Sequence, residues 1–102
     1  MKISILLPYK ENFSSIYPGA VSLFVKDMTK ISKFKNIITV YGNTSLKKIY
    51  KLPYKNIHLK RSFVQSGSKV YVDEFLKYEM KEPSNIIEIH NRPNYFHLIN
   101  KK

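Results

Sequence analysis

The apolar residues in the first half of the chain predict two strands and one helix. Residues 2–7 form a nearly continuous apolar run that Pro8 stops, a pattern typical of a strand covered on both faces. Gly19 opens a segment with apolar residues at helical spacing, which predicts a helix to about Ser32. A second strand is predicted at residues 37–41. The helical stripe that we expect to be buried consists of Ala20, Val21, Phe24, Val25, Met28 and Ile31.

The second half of the chain predicts shorter strands and further helical segments. Residues 46–50 can form one helical turn, and residues 57–59 a short third strand. Ser66 or Ser68 can cap a helix that runs to about Lys81. Residues 86–89 are a β-branched fourth strand, and a final helix is predicted at 93–100, beginning with a proline. The buried stripe expected for the longer helix consists of Val72, Phe75, Leu76 and Met80.

This alternation of strands and helices implies βαβ units and therefore a parallel sheet. A chain of 102 residues, 43% of them hydrophobic, suits one domain with one packed core. No apolar stretch approaches the roughly 20 residues that a membrane-spanning helix requires. The apolar start is followed by Pro8, Lys10 and Glu11 rather than by a cleavage site, so we interpret it as a buried strand. We expect an open α/β fold with a Rossmann-like sheet.

The composition narrows the classes of chemistry and partner. A formal net charge of +11 raises the local concentration of anionic partners, including nucleic acid, nucleotides and acidic membranes. Nearly all of that charge is lysine, because Arg61 and Arg92 are the only arginines, and the aromatic residues are not interleaved with arginine as stacking platforms. A generally solvated lysine surface is therefore favoured over a specific nucleic-acid footprint. The absence of cysteine excludes disulfides, cysteine zinc sites and thiol catalysis.

Candidate site residues come from the loops at the carboxyl ends of the strands, where open α/β sheets bind their ligands. Gly19 precedes the first helix, whose free amides suit a phosphate, although the glycine can equally serve only a tight entry into the helix. His90 ends the last strand and can bind a sugar hydroxyl or pass a proton, although a lone histidine is more often structural or simply exposed. Arg92 can pair with a phosphate or a carboxylate, although one arginine near a helix start is more often solvated. The carboxylates show no spacing that marks a metal cage or a pair of glycosidase acids, so no metal site is predicted.

Four segments of the chain resemble the N-terminal domain of family 4 retaining glycosyltransferases with the GT-B fold. In order they are KISILLP, PGAVSLFVKDMTKIS, NIITVYGN and NIIEIHNRPNYFHLI, and the strand leading into His-Asn-Arg-Pro is the most specific of them. The resemblance implies that Gly19 and Ala20 approach the diphosphate of a nucleotide-sugar donor. It also implies that His90 faces the sugar and that Asn91 and Arg92 belong to the same substrate-binding edge. The family usually has two glycines where this chain has Gly19 and Ala20.

From the residues and this resemblance together, we expect a sheet of about four strands in the order 3-2-1-4, flanked by helices. Residues 1–102 would form a single, incomplete, acceptor-side domain of a cytoplasmic enzyme. The complete enzyme would transfer a hexose from a nucleotide sugar to a saccharide or lipid-linked acceptor, without a further cofactor, in the synthesis of a surface polysaccharide or lipopolysaccharide. The family's paired glutamates belong to the other domain, so we expect this chain alone to be inactive. The alternative is a free-standing binding module for a phosphorylated ligand or nucleic acid.

The partners expected on this interpretation are the nucleotide sugar, the glycan acceptor and, at the periphery, an anionic membrane, with no specific nucleic acid. We also expect the chain to form a homodimer. The last strand would lie at an edge of the sheet, and its residues Ile86, Ile87 and Ile89 are apolar, with Glu88 as the only charge. Unpaired strand edges of that composition recruit other strands.

Overall fold

The computed structural model describes residues 1–15, 19–44, 50, 52–59, 67–90 and 99. Its elements in chain order are the strand β1 (Ile3–Leu6), the helix α1 (Ala20–Ile31), a 3-10 turn (Lys35–Ile37) and the strands β2 (Ile38–Gly42) and β3 (Tyr54–Asn56), followed by the helix α2 (Gly67–Lys81) and the strand β4 (Ile86–Ile89). Within the described ranges, no helix is long and apolar enough to cross a membrane.

The four strands form one parallel sheet in the order β3-β2-β1-β4. Ile3 of β1 stands opposite Ile38 of β2 on one side and Ile86 of β4 on the other, and Val40 of β2 stands opposite Tyr54 of β3. The structure is an open Rossmann-like sheet, which confirms the predicted fold class and strand order. β2 and β3 are added on one side of β1 and β4 on the other, so the strand order changes direction at β1 and the carboxyl ends of β1 and β4 form the topological switch point.

Alternate side chains of the strands pack into two separate cores, one beneath each helix. Beneath α2, the buried cluster includes Leu6 of β1 and Phe75 of α2; beneath α1, it includes Leu7 and Val25. The remaining members beneath α2 are Tyr41, Ile57, Tyr71 and Val72, and those beneath α1 are Ile5, Phe13, Ile38 and Val40. The helices therefore cover opposite faces of the sheet, as two βαβ units of a doubly wound fold require.

The helix α1 contacts the sheet through a different line of residues from the one predicted. Its buried residues are Ser22, Val25 and Thr29. Phe24 is 49% exposed and Ile31 is 80% exposed, so the prediction of a buried apolar stripe is wrong for these positions. Small side chains lie under the helix and the larger apolar ones lie along its flank. Ala20 and Met28 are also exposed.

Glu79 takes the place in the core that the sequence assigns to Met80. Met80 is 83% exposed, whereas Glu79 is buried. The Glu79 carboxylate accepts hydrogen bonds from the Ser4 hydroxyl at 2.9 Å and from the Ser84 amide and hydroxyl at 2.8 and 2.6 Å. A buried carboxylate needs such donors, and here they join α2 to β1 and to the turn before β4.

The third strand lies three residues earlier than predicted. Tyr54–Asn56 pair with β2, and Ile57 follows as the residue whose amide donates to the Gly42 carbonyl at 2.7 Å. Ile57 is fully buried beneath α2, so the apolar residue that suggested a strand lies directly after β3 rather than at its start. Of the turn predicted at 46–50, only Tyr50 belongs to the described residues, and of the helix predicted at 93–100 only Ile99, which is helical and packs beside the α2 cluster.

Candidate functional site

The predicted site residues that the structure describes are Gly19, Ala20 and His90, whereas Asn91 and Arg92 lie outside the described residues. Gly19 is the N-cap of α1, and its carbonyl accepts the first helical hydrogen bond, from the amide of Leu23 at 3.1 Å. Ala20 is the first residue of the helix and is exposed. The amino end of α1 thus opens at the carboxyl edge of the sheet, as predicted.

A carboxylate of the chain itself lies at that helix end. Oε2 of Glu11 accepts a hydrogen bond from the Ser22 amide at 3.2 Å. The space that a Cβ atom would need at Gly19 is filled by the same carboxylate, so a glycine is required for Glu11 to come this close. The sequence assigns Glu11 no role, because it lies eleven positions before Ser22 and no motif marks the pair. A negative charge is favoured at this position by the free amides and dipole of the helix.

The loop that carries Glu11 is fixed by a turn directly after β1. The Glu11 amide donates to the Pro8 carbonyl at 3.1 Å, and Lys10 between them has a φ of 64°, in the left-handed region. The Lys10 ammonium lies 5.4 Å from the centre of the Tyr9 ring. A Cβ atom at Gly67, the first residue of α2, would come within 2.6 Å of that ring. The first loop therefore contacts the amino ends of both helices.

The side chain of Tyr71, a residue of α2, lies at the carboxyl ends of β1 and β2. Its hydroxyl donates to the Leu7 carbonyl at 2.6 Å and lies 3.4 Å from the Tyr41 carbonyl, and its side chain is fully buried. Its ring centre lies 5.6 Å from that of Tyr9. Because carbonyls at the ends of buried strands need donors, Tyr71 completes the hydrogen bonding between β1 and β2.

His90 follows β4 on the α1 side of the sheet. Its Nε2 atom lies 3.0 Å from Oε2 of Glu88, and its ring centre lies 6.0 Å from that of Phe24 in an edge-on arrangement. A carboxylate can only accept, so Nε2 carries a proton in this pair, and in the neutral form of the ring Nδ1 is an acceptor. A cavity of about 80 Å³ beside it is lined by Ile5, Phe24, Val25, Met28, Thr29, Glu88 and His90.

A polar network at the ends of β2 and β3 is absent from the sequence predictions. The Thr44 hydroxyl lies 2.7 Å from that of Tyr54, and the side-chain oxygen of Asn56 accepts from the Tyr54 hydroxyl at 2.8 Å and from the Thr44 amide at 2.7 Å. Burial raises the pKa of Tyr54, and its hydrogen bonds with Thr44 oppose that rise. The Tyr54 ring also stacks on Phe13 at 5.2 Å. No sequence signal marks these residues, since each is common in ordinary loops.

Two other features lie apart from this edge. A cavity of about 520 Å³ on the α2 side is lined by Asp73, Leu76, Lys77, Glu79, Met80, Pro83 and Ile99, and Gly19, Ala20 and His90 do not contribute to it. Among the residues that the structure describes, no three His, Asp or Glu side chains are grouped as a metal site would require.

The chain was also compared with known proteins. No protein-family model matches it, and no curated protein or solved structure matches it either.

Proposed function

We propose that this chain is the acceptor-side domain of a GT-B glycosyltransferase, which transfers a hexose from a nucleotide sugar to a saccharide or lipid-linked acceptor. The observation that supports it is the meeting of α1 and β4 on one side of the switch point. His90 contacts Phe24, little more than one turn into the helix whose amino end begins at Gly19. Neighbouring elements therefore carry the helix end that we propose binds phosphate and the histidine that can accept a hydroxyl proton.

Each element has a distinct role in this proposal. The amides at the start of α1 bind the diphosphate of the donor, because they are unpaired within the helix and carry its positive dipole end. Glu88 orients His90, so that Nδ1 accepts a hydrogen bond from a sugar hydroxyl. The family resemblance assigns the remaining donor contacts and the paired glutamates to a second domain, so we expect the present chain alone to transfer no sugar.

The proposed acceptor also bears on where the protein works. We expect the enzyme to work in the cytoplasm, where a lipid-linked acceptor would bring it to the inner face of an anionic membrane. Exposed Phe24, Met28 and Ile31 lie along α1 in the same helix as exposed Lys30. Apolar and basic side chains together favour a peripheral position at such a surface.

The experiment is an NMR titration of the chain with nucleoside-diphosphate hexoses. We expect weak binding, with a Kd of about 1 mM, amide shifts at residues 19–22 and at His90, and no hydrolysis of the donor. His90→Ala should remove the shifts that depend on the sugar, while His58→Ala, at an exposed position after β3, should leave them unchanged. Micromolar binding with turnover, or shifts confined to other residues, would show that the proposal is wrong.

The alternative from another class is a free-standing module for a phosphorylated ligand or nucleic acid. The helix end at Gly19 and the net charge of +11 favour it. The dependence of nucleic-acid affinity on salt concentration distinguishes the two functions, because lysine contacts to nucleic acid weaken steeply through counterion release. We expect only weak DNA or RNA binding that disappears near physiological salt. Sequence-selective binding that survives there would favour the module.

A further inference from the structure

We infer that Glu11 is a specificity-determining residue of the anion site at the amino end of α1: its carboxylate occupies the site in the free protein and must leave when a phosphate binds. The inference rests on the proposed phosphate role of that helix end. It adds a residue that neither the sequence pattern nor the resemblance marks, and it makes the site selective for anions that bind the helix better than a carboxylate does.

The first observation is the geometry of the occupied site. The Glu11 carboxylate lies against Gly19 and accepts from the Ser22 amide at 3.2 Å. Charge-assisted N–H···O hydrogen bonds are usually 2.7–2.9 Å long, so this one is weak. Glu11 is only half-buried, so it can move into solvent on the side away from the helix. A carboxylate held by a long bond at a solvent-accessible edge is readily displaced.

The second observation is an unsatisfied hydroxyl. Oγ of Ser22 is buried and has no hydrogen-bond partner. Ser22 is the third residue of α1, so its hydroxyl belongs to the same first turn, and to the same residue, whose amide the Glu11 carboxylate contacts. Buried hydroxyls in proteins are almost always paired, and this one has no acceptor although the amide of the same residue donates to Glu11.

A phosphate group would satisfy what the carboxylate leaves unpaired. It has more acceptor oxygens than a carboxylate and more negative charge, so it can accept from the Ser22 amide and hydroxyl together. Glu11 then has to leave, because two anions cannot share the amino end of one helix without repulsion. Anions with a single acceptor face, such as acetate, gain nothing over Glu11 and should be excluded.

The test is a titration with inorganic pyrophosphate at constant ionic strength, followed by NMR at the Ser22 amide. Glu11→Ala removes the competitor, and Glu82→Ala is the matched control, since it makes the same charge change at an exposed position beyond α2. We expect Glu11→Ala to bind pyrophosphate about two- to five-fold more tightly than Glu82→Ala, the usual range of carboxylate interactions with a solvent-accessible helix end. Equal affinities of these two variants would overturn the inference.

Ser22→Ala provides the second readout. Without ligand it should be at least as stable as the parent chain, because it removes an unsatisfied buried hydroxyl, yet it should bind pyrophosphate more weakly. Unchanged pyrophosphate affinity in Ser22→Ala would overturn the part assigned to the hydroxyl. If no variant binds pyrophosphate, the anion site itself is wrong. If pyrophosphate binds as expected and nucleotide sugars do not, the proposed glycosyltransferase function fails while the inference about Glu11 stands.

Discussion

Replacing Tyr71 with phenylalanine removes one hydroxyl from the centre of the fold and leaves the aromatic ring in place. That hydroxyl donates to the Leu7 carbonyl at 2.6 Å, where β1 ends, and lies 3.4 Å from the Tyr41 carbonyl. The side chain is fully buried, so the Leu7 carbonyl gains no water when the donor is lost. The substitution therefore leaves a buried acceptor unsatisfied in addition to breaking a hydrogen bond.

These two effects set the expected magnitude. A buried polar group without its partner costs about 1–3 kcal/mol, and we expect the free energy of unfolding of Tyr71→Phe to fall by that amount. For a domain of this size, each 1 kcal/mol lowers the melting temperature by about 4–8 °C. Urea denaturation followed by circular dichroism measures the change directly, and an unchanged m value would show that the unfolded state is unaffected.

Tyr78→Phe is the matched control, on the same helix and with the same chemical change. Tyr78 is half-buried, with its ring centre 5.6 Å from that of Tyr41, and no hydrogen bond of its hydroxyl is among those described. We expect its free energy of unfolding to change by less than about 0.5 kcal/mol. Equal stability of the two variants would refute the view that Tyr71 holds the strand ends by a hydrogen bond.

Further predictions concern the helix end, the polar network and the edge strand. Gly19→Ala should cost no more than about 1 kcal/mol, because its Cβ would only displace the flexible, half-buried Glu11 carboxylate from the helix end; in a double-mutant cycle the same substitution should cost less once Glu11→Ala has removed that carboxylate. The raised pKa of Tyr54 means that the unfolded chain loses this proton first, so the free energy of unfolding should fall as pH rises above about 10. Denaturation of Tyr54→Phe across that range should show a shallower fall, and an unchanged slope would contradict the assignment. β4 is the last strand on its side of the described sheet, and Ile86 in it is 48% exposed, so we expect the chain to form dimers. Light scattering should detect these dimers and should show that Ile86→Lys is monomeric. A monomeric parent chain would contradict the edge-pairing argument.

The elements that sequence predicted well are those in which local pattern and packing agree. β1 and β4 are apolar runs followed by polar loops, and α1 begins directly after Gly19, its N-cap. β3 was misplaced because Tyr-Lys-Asn is a poor strand sequence by propensity. It pairs with β2 because backbone hydrogen bonds at the sheet edge need no particular side chain.

The candidate site was predictable only as far as topology determines it. The strand order places Gly19 and His90 at the carboxyl edge, and both residues lie there. The contact between Glu11 and Ser22 depends on how the first loop folds back, which no local period encodes. The same holds for Glu79, whose burial depends on donors from Ser4 and Ser84, distant in sequence from each other.

Because the core is divided into two clusters, the two helices should differ in the free energy needed to detach them from the sheet. Val25 is the one buried apolar side chain that α1 contributes among the described residues, while α2 contributes Tyr71, Val72 and Phe75. Each such side chain stabilises by about 1.5–3 kcal/mol when it is fully buried. Sub-global unfolding should therefore release α1 before α2, and amide hydrogen exchange in α1 should proceed through a lower-energy open state. The helix whose amino end we assign to the anion would then be the more weakly anchored of the two, and an anion bound there would slow that exchange by stabilising the closed form.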